Sequence, residues 1–184
     1  MLFLWIALAL LVSILFVIIG TYNQLVQLRE LVKNGWSQID VQLKRRHDLI
    51  PNLVETAKGY MAHEKGTLEN VIKARQQAVD ASNIKDKQQA ENMLTGTLRS
   101  LFAVTENYPD LKADRQMMQL HEELTSTENK IAFARQYYND EVNRFNTAVQ
   151  SFPNNIVAGI FHFQKRDFFE LEDPTDKNVP EVKF

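Results

Sequence analysis

Leu2–Gly20 reads LFLWIALALLVSILFVIIG, an apolar run whose one hydroxyl belongs to Ser13. As a helix it is about 28 Å long, close to the hydrocarbon thickness of a bilayer. Every Asp, Glu, Lys, Arg and His of the chain lies beyond residue 28. A cleaved signal peptide carries a basic leader, a shorter apolar stretch and a small-x-small exit. Here Met1 has no side-chain charge, and the Ala-x-Ala of the run, Ala7 to Ala9, sits in its middle. Residues 1–20 are therefore expected to be an uncleaved transmembrane signal anchor. Arg29 and Lys33 follow the anchor and no Lys or Arg precedes it, so the positive-inside rule leans towards a cytoplasmic body. A large domain can translocate regardless of such charges, so a periplasmic or extracellular body stays open.

The rest of the chain is long enough for one compact domain with its own core. Cysteine is absent, which removes disulfides, thiolate nucleophiles and thiolate zinc ligands. A formal charge of −2 carries no electrostatic nucleic-acid footprint. Glycine numbers 6 and proline 5 in 184 residues, and no stretch alternates apolar with polar for long. Helices are expected to dominate.

The spacing separates helical segments. Leu25, Leu28, Val32, Trp36, Ile39 and Leu43 make one stripe over residues 21–46, continuous with the anchor. A second segment is expected over 48–80, with Asp48 as N-cap, Pro51 in the first turn, and Leu53, Ala57, Tyr60, Glu64, Leu68, Val71, Arg75 and Ala78 on its stripe. Residues 46–51 read as a turn or a kink. A third helix over 84–106 turns Ala90, Met93, Leu94, Leu98, Leu101 and Phe102 inward, and Asn107-Tyr108-Pro109-Asp110 stops it. The fourth carries Met117, Leu120 or His121, Leu124, Glu128, Ile131, Arg135, Tyr138, Val142, Phe145 and Val149 at alternating threes and fours. That seam suits a left-handed bundle. Residues 152–184 hold six of the eleven phenylalanines, and the stretch around Pro174 and Pro180 is expected to be extended.

The block Gly35-Trp36-Ser37-Gln38-Ile39-Asp40-Val41-Gln42-Leu43-Lys44-Arg45-Arg46-His47-Asp48-Leu49-Ile50-Pro51-Asn52-Leu53 resembles the LemA family. So do Lys58-Gly59-Tyr60 with His63-Glu64, Glu106 to Ala113, Thr127-Glu128-Asn129, Phe152-Pro153-Asn154-Asn155 and Phe168-Phe169. The resemblance implies an all-α fold: an N-terminal transmembrane helix continuing into an antiparallel four-helix bundle, residues 21–151, with an aromatic-rich extension over 152–184. It also implies a bacterial cell membrane setting and kinship with magnetosome membrane proteins. It implies no reaction.

A di-iron bundle needs Glu-x-x-His pairs, but Lys44, Tyr60, Met118 and Gly159 stand three residues before the histidines. No zinc-protease spacing and no phosphate loop is present. The expectation is a non-enzyme with no catalytic, cofactor-binding or metal-binding residues. Three groups are candidates for interaction or assembly. Lys44, Arg45 and Arg46, with His47, form the densest basic run; its plain reading is charge pairing with Asp40, Asp48 or Glu55, its sharper one a partner-binding or self-assembly contact. It stands about 36 Å from the membrane exit if the helix is continuous, too far for lipid headgroups. Arg75 and Arg135 fall on apolar stripes with Glu64, Asn107, Glu128 and Asn129, either as a network fixing register or as the lining of a cavity or subunit interface. Phe161, Phe163, Phe168 and Phe169 either cover the bundle's end or form an adhesive strip for another subunit, another protein or the membrane surface.

The reading that follows is a non-catalytic membrane-anchored scaffold or adaptor that self-associates or recruits other membrane or envelope proteins, with no nucleic-acid partner. Ala7, Ala9 and Ser13 allow anchors to approach closely. The alternative is a ligand-binding or signalling module holding a small molecule, lipid or peptide between helices, bordered by Arg75, Tyr60 or Tyr138.

Overall fold

A computed structural model describes residues 1–170; the expected extended stretch around Pro174 and Pro180 lies outside them. The described residues are all-α. The elements are α1 (Leu2–Lys58), α2 (Lys65–Asp80), α3 (Ile84–Thr105), α4 (Pro109–Ala113), α5 (Arg115–Gln150) and α6 (Asn154–Ile160). The N-terminal part of α1 is long and apolar enough to cross a membrane. The same helix runs on, unbroken, to Lys58.

The described residues fall into two compact units, each built partly from α1 and α5. One comprises residues 40–133 with Phe169 and Glu170. It is the antiparallel four-helix bundle: the end of α1, α2, α3 and the start of α5 share one core. Ile50, Leu53, Val54, Ala57 and Met61 meet Leu68, Val71, Ala74 and Ala78 of α2, Leu94, Leu98 and Leu101 of α3, and Met117, Leu120 and Leu124 of α5. Asn83 caps α3, its Oδ1 accepting from the Asp86 N–H at 2.8 Å. Asp114 caps α5 in the same way, accepting from Met117 N–H at 2.9 Å, and that bond holds its carboxyl below the ordinary value. Phe169 is fully buried.

The other unit comprises residues 1–39 and 134–168. Here α1 and the end of α5 run side by side so closely that a Cβ on Gly35 would stand 3.1 Å from Tyr138 Cα. Trp36 lies edge-on to the Tyr138 ring at 5.5 Å. The chain after α6 is strapped to α5. Asn146 Oδ1 accepts from the Arg166 N–H at 2.8 Å and its Nδ2 donates to the Arg166 carbonyl at 2.9 Å. The Tyr138 hydroxyl donates to the Asp167 carbonyl at 2.9 Å. The corner at the end of α6 is a Schellman turn: Phe163 N–H donates to the Ala158 carbonyl and His162 N–H to that of Gly159. His162 takes the left-handed conformation, φ 57°, where glycine is usual.

Three expectations need correction. No turn forms at residues 46–51; α1 passes through Pro51, and Asp48 lies inside the helix rather than capping one. The chain breaks instead at residues 59–64, beginning at Gly59, so the second helix begins at Lys65. Tyr60, placed on the inner stripe, is therefore outside the helix and exposed. Met93, also expected inside, is exposed; α3 turns Glu91 inward in its place.

Candidate functional site

Why α1 survives Pro51 leads into the charged centre of the bundle. Proline has no N–H, so the His47 carbonyl four residues earlier loses its helical partner. Arg75 Nε of α2 donates to that carbonyl at 2.7 Å and restores the bond from a neighbouring helix. The side chains one turn before Pro51 continue the network. Arg46 is fully buried, and its Nη1 reaches Glu91 Oε2 at 3.4 Å. Its Nη2 donates to Thr95 Oγ1 at 2.7 Å, and that hydroxyl donates on to the Glu91 carbonyl at 2.9 Å. His47 Nε2 lies 2.7 Å from Glu91 Oε1. Arg46 Nε stands 3.1 Å from Glu128 Oε1 of α5, an ion pair without hydrogen-bond alignment. Desolvation holds the Glu128 carboxyl above its ordinary value, against the pull of Arg46.

Three helices, α1, α3 and α5, thus meet on one buried guanidinium, and α2 joins them through Arg75 on the carbonyl of the next residue. Each Glu91 oxygen already has a cation or ring nitrogen beside it. Removing one partner from such a set strands a charge, so the cluster fixes which faces of the four helices meet. Among the described residues no group of three His, Asp or Glu side chains stands together as a metal site.

The sequence candidates are distributed as follows. Within the basic run only Lys44 and Arg45 are exposed, while Arg46 is interior. Arg75 and Glu128 join the Arg46 cluster. Asn107 and Asn129 are exposed, and Glu64 precedes α2 half-buried. Arg135 is half-buried in the unit of residues 1–39 and 134–168. Phe163 packs between Tyr22 at 5.8 Å and Phe145 at 6.4 Å, with the Arg29 guanidinium 5.5 Å above its ring. Phe161 lies tilted against Tyr22, ring centroids 4.7 Å apart, and remains exposed, as Phe168 does. Sequence reasoning placed His47 in the basic run without its buried partner, and missed Glu91 and Thr95. The signal was available: Glu91, Leu94, Leu98, Leu101 and Thr105 follow one helical stripe, and a proline four residues after His47 leaves a carbonyl that something must bond.

A second feature of the bundle has the character of a binding surface. Where α1 ends and α2 begins, a cleft of about 840 Å³ opens, floored by Val54, Met61, Leu68 and Ile72 and rimmed by Lys58, Lys65 and Lys73. Its floor is apolar and its rim basic, with Glu69 the one acid among its lining residues. Pockets of this size and polarity accept small molecules or a partner's side chains.

The sequence model of the LemA family matches residues 35–184. Protein LemA of Metamycoplasma hominis is 28% identical over 160 residues, covering 85% of this chain and 69% of that one. Magnetosome protein MamQ of Magnetospirillum gryphiswaldense is 24% identical over 195 residues, covering 92% and 72%. Magnetosome protein MamQ 1 of Paramagnetospirillum magneticum is 24% identical over 184 residues, covering 86% and 68%.

Proposed function

This chain belongs to the LemA family, and from that premise we propose that it is a non-catalytic, membrane-anchored scaffold or adaptor that self-associates at the bacterial inner membrane and recruits other membrane or envelope proteins. One observation carries the reading. A single helix joins an apolar span to a bundle that leaves a large apolar cleft uncovered beside that helix's end. The buried charges support it, because they serve one another and define a rigid platform. Arg29 and Lys33 favour a cytoplasmic body. Lateral association of anchors in the plane of the membrane adds to weak bundle contacts through effective concentration.

The test uses the absence of cysteine. Ile72→Cys introduces a single thiol at the cleft, and batches labelled with donor or acceptor dye are mixed in proteoliposomes. Energy transfer well above that of dilute, randomly distributed anchors supports self-association through this face. Transfer at the random level removes it. The same cleft favours a second reading, a small molecule, lipid or peptide held there by the three lysines.

A further inference from the structure

The turn between α5 and α6 lies at the level where α1 leaves its apolar span. Gly35 beside Tyr138 fixes the antiparallel register of α1 and α5, and counting along both helices brings Gln150 level with Asn23. Packing agrees. Ile18, inside the apolar span, packs against the cluster of Leu25, Val157 and Ala158, together with Ala148, Val149 and Phe163. Val157 and Ala158 thus turn one face of α6 towards α1. The remaining face carries Ile156, 54% exposed, and Ile160, 60% exposed, with Phe152 at 80% and Phe161 at 48% on either side.

Large apolar side chains gathered at one corner are costly in water, and Val17 and Ile19, which flank Ile18 on α1, are exposed as well. Aromatic rings such as Tyr22 and Phe161 suit the depth at which headgroups meet acyl chains. Basic groups stand on the aqueous side of the corner. Arg29, His162 and Arg166 line one cleft of about 130 Å³ with Phe161 and Phe163. About 14 Å of helix separates Gly20 from Arg29. The headgroup region takes up about 5–7 Å of that distance, which leaves the Arg29 guanidinium within roughly one Debye length, about 8–10 Å, of the phosphate plane.

We infer that the α5–α6 corner is a second membrane contact: Phe152, Ile156, Ile160 and Phe161 enter the interface of the bilayer that α1 crosses, with Arg29 and Arg166 towards its phosphates. The inference rests on the reading of residues 2–20 as a span. One crossing helix leaves a body free to swing; a second contact beside the exit fixes the angle at which the body stands on the membrane.

The test is spin-label accessibility in full-length protein reconstituted into vesicles of phosphatidylcholine and phosphatidylglycerol. Single nitroxides are placed at Ile156→Cys and Ile160→Cys, with Leu10→Cys reporting the span and Lys44→Cys reporting water. At 156 and 160, collisions with oxygen should exceed those with a water-soluble nickel chelate, at a depth of about 5–10 Å below the headgroup boundary. Labels at 156 and 160 as open to nickel as the label at 44, with 10 still in lipid, would overturn the corner contact and leave the anchor standing. Labels shielded from both reagents and broadened by spin–spin coupling would assign the face to a second copy, also overturning it. A nickel-accessible label at 10 would overturn both readings.

Discussion

Pro51 takes one backbone donor out of the interior of α1, and the Arg75 guanidinium supplies another. This pairing makes a sharp expectation. Arg75→Leu leaves a half-buried carbonyl without a donor and should cost about 1–3 kcal/mol in denaturant unfolding. In the Pro51→Ala background the restored N–H takes the carbonyl, and the same substitution should cost far less. A coupling of about 1 kcal/mol or more in the double-mutant cycle is the expected result, and simple additivity would contradict it. Arg46→Met should cost about 3–5 kcal/mol, because Glu91 is left charged in the core. Glu128 gives a pH signature. Its carboxyl is raised above the ordinary 4.5 in the folded state, so folding favours its protonated form. That stabilisation is complete below 4.5 and is lost as pH rises through the folded value. With 41% of the side chain exposed, solvent screens the effect, so a modest slope is expected. Glu128→Gln should flatten it in pH-dependent unfolding curves.

Among the elements, α1 and α5 lie so close at Gly35 that a Cβ there would stand 3.1 Å from Tyr138 Cα, leaving almost no room for a side chain. Gly35→Leu should force the two apart and lower stability by about 1–3 kcal/mol, read as a drop in melting temperature with helicity retained below it. The helices themselves were legible from period alone: Leu25, Val32, Ile39 and Leu43 on α1, and Met117, Leu124, Ile131, Tyr138, Val142 and Phe145 on α5, are buried as their spacing requires. The helix boundary expected near Pro51 is absent because proline's local cost is offset by a residue 24 positions away, which no local pattern displays. The real break, which begins at Gly59, was masked because Tyr60 and Glu64 happen to continue the stripe. Glu91 was missed for a related reason: a carboxylate on an apolar face reads as solvated until its partners, Arg46 and His47, are known. The interaction candidates were harder still, since exposure of Lys44 and burial of Arg46 differ only by helical phase.

At the scale of the whole molecule, the chain combines a stretch long and apolar enough to cross a membrane, a bundle pinned by buried charge and an open apolar cleft. Self-association through that cleft is the central claim, and Ile72 stands on its floor. Ile72→Lys should leave the fold intact, because the side chain is already partly exposed, while weakening any contact made there. The measurement to make is the protein mass of the full-length chain in mild detergent, by light scattering behind a sizing column, for the wild type and for Ile72→Lys. A discrete mass several times 21.3 kDa for the wild type, reduced in the variant, is the expected result. A wild-type particle of one chain would contradict self-association and shift the cleft to a ligand or a different protein.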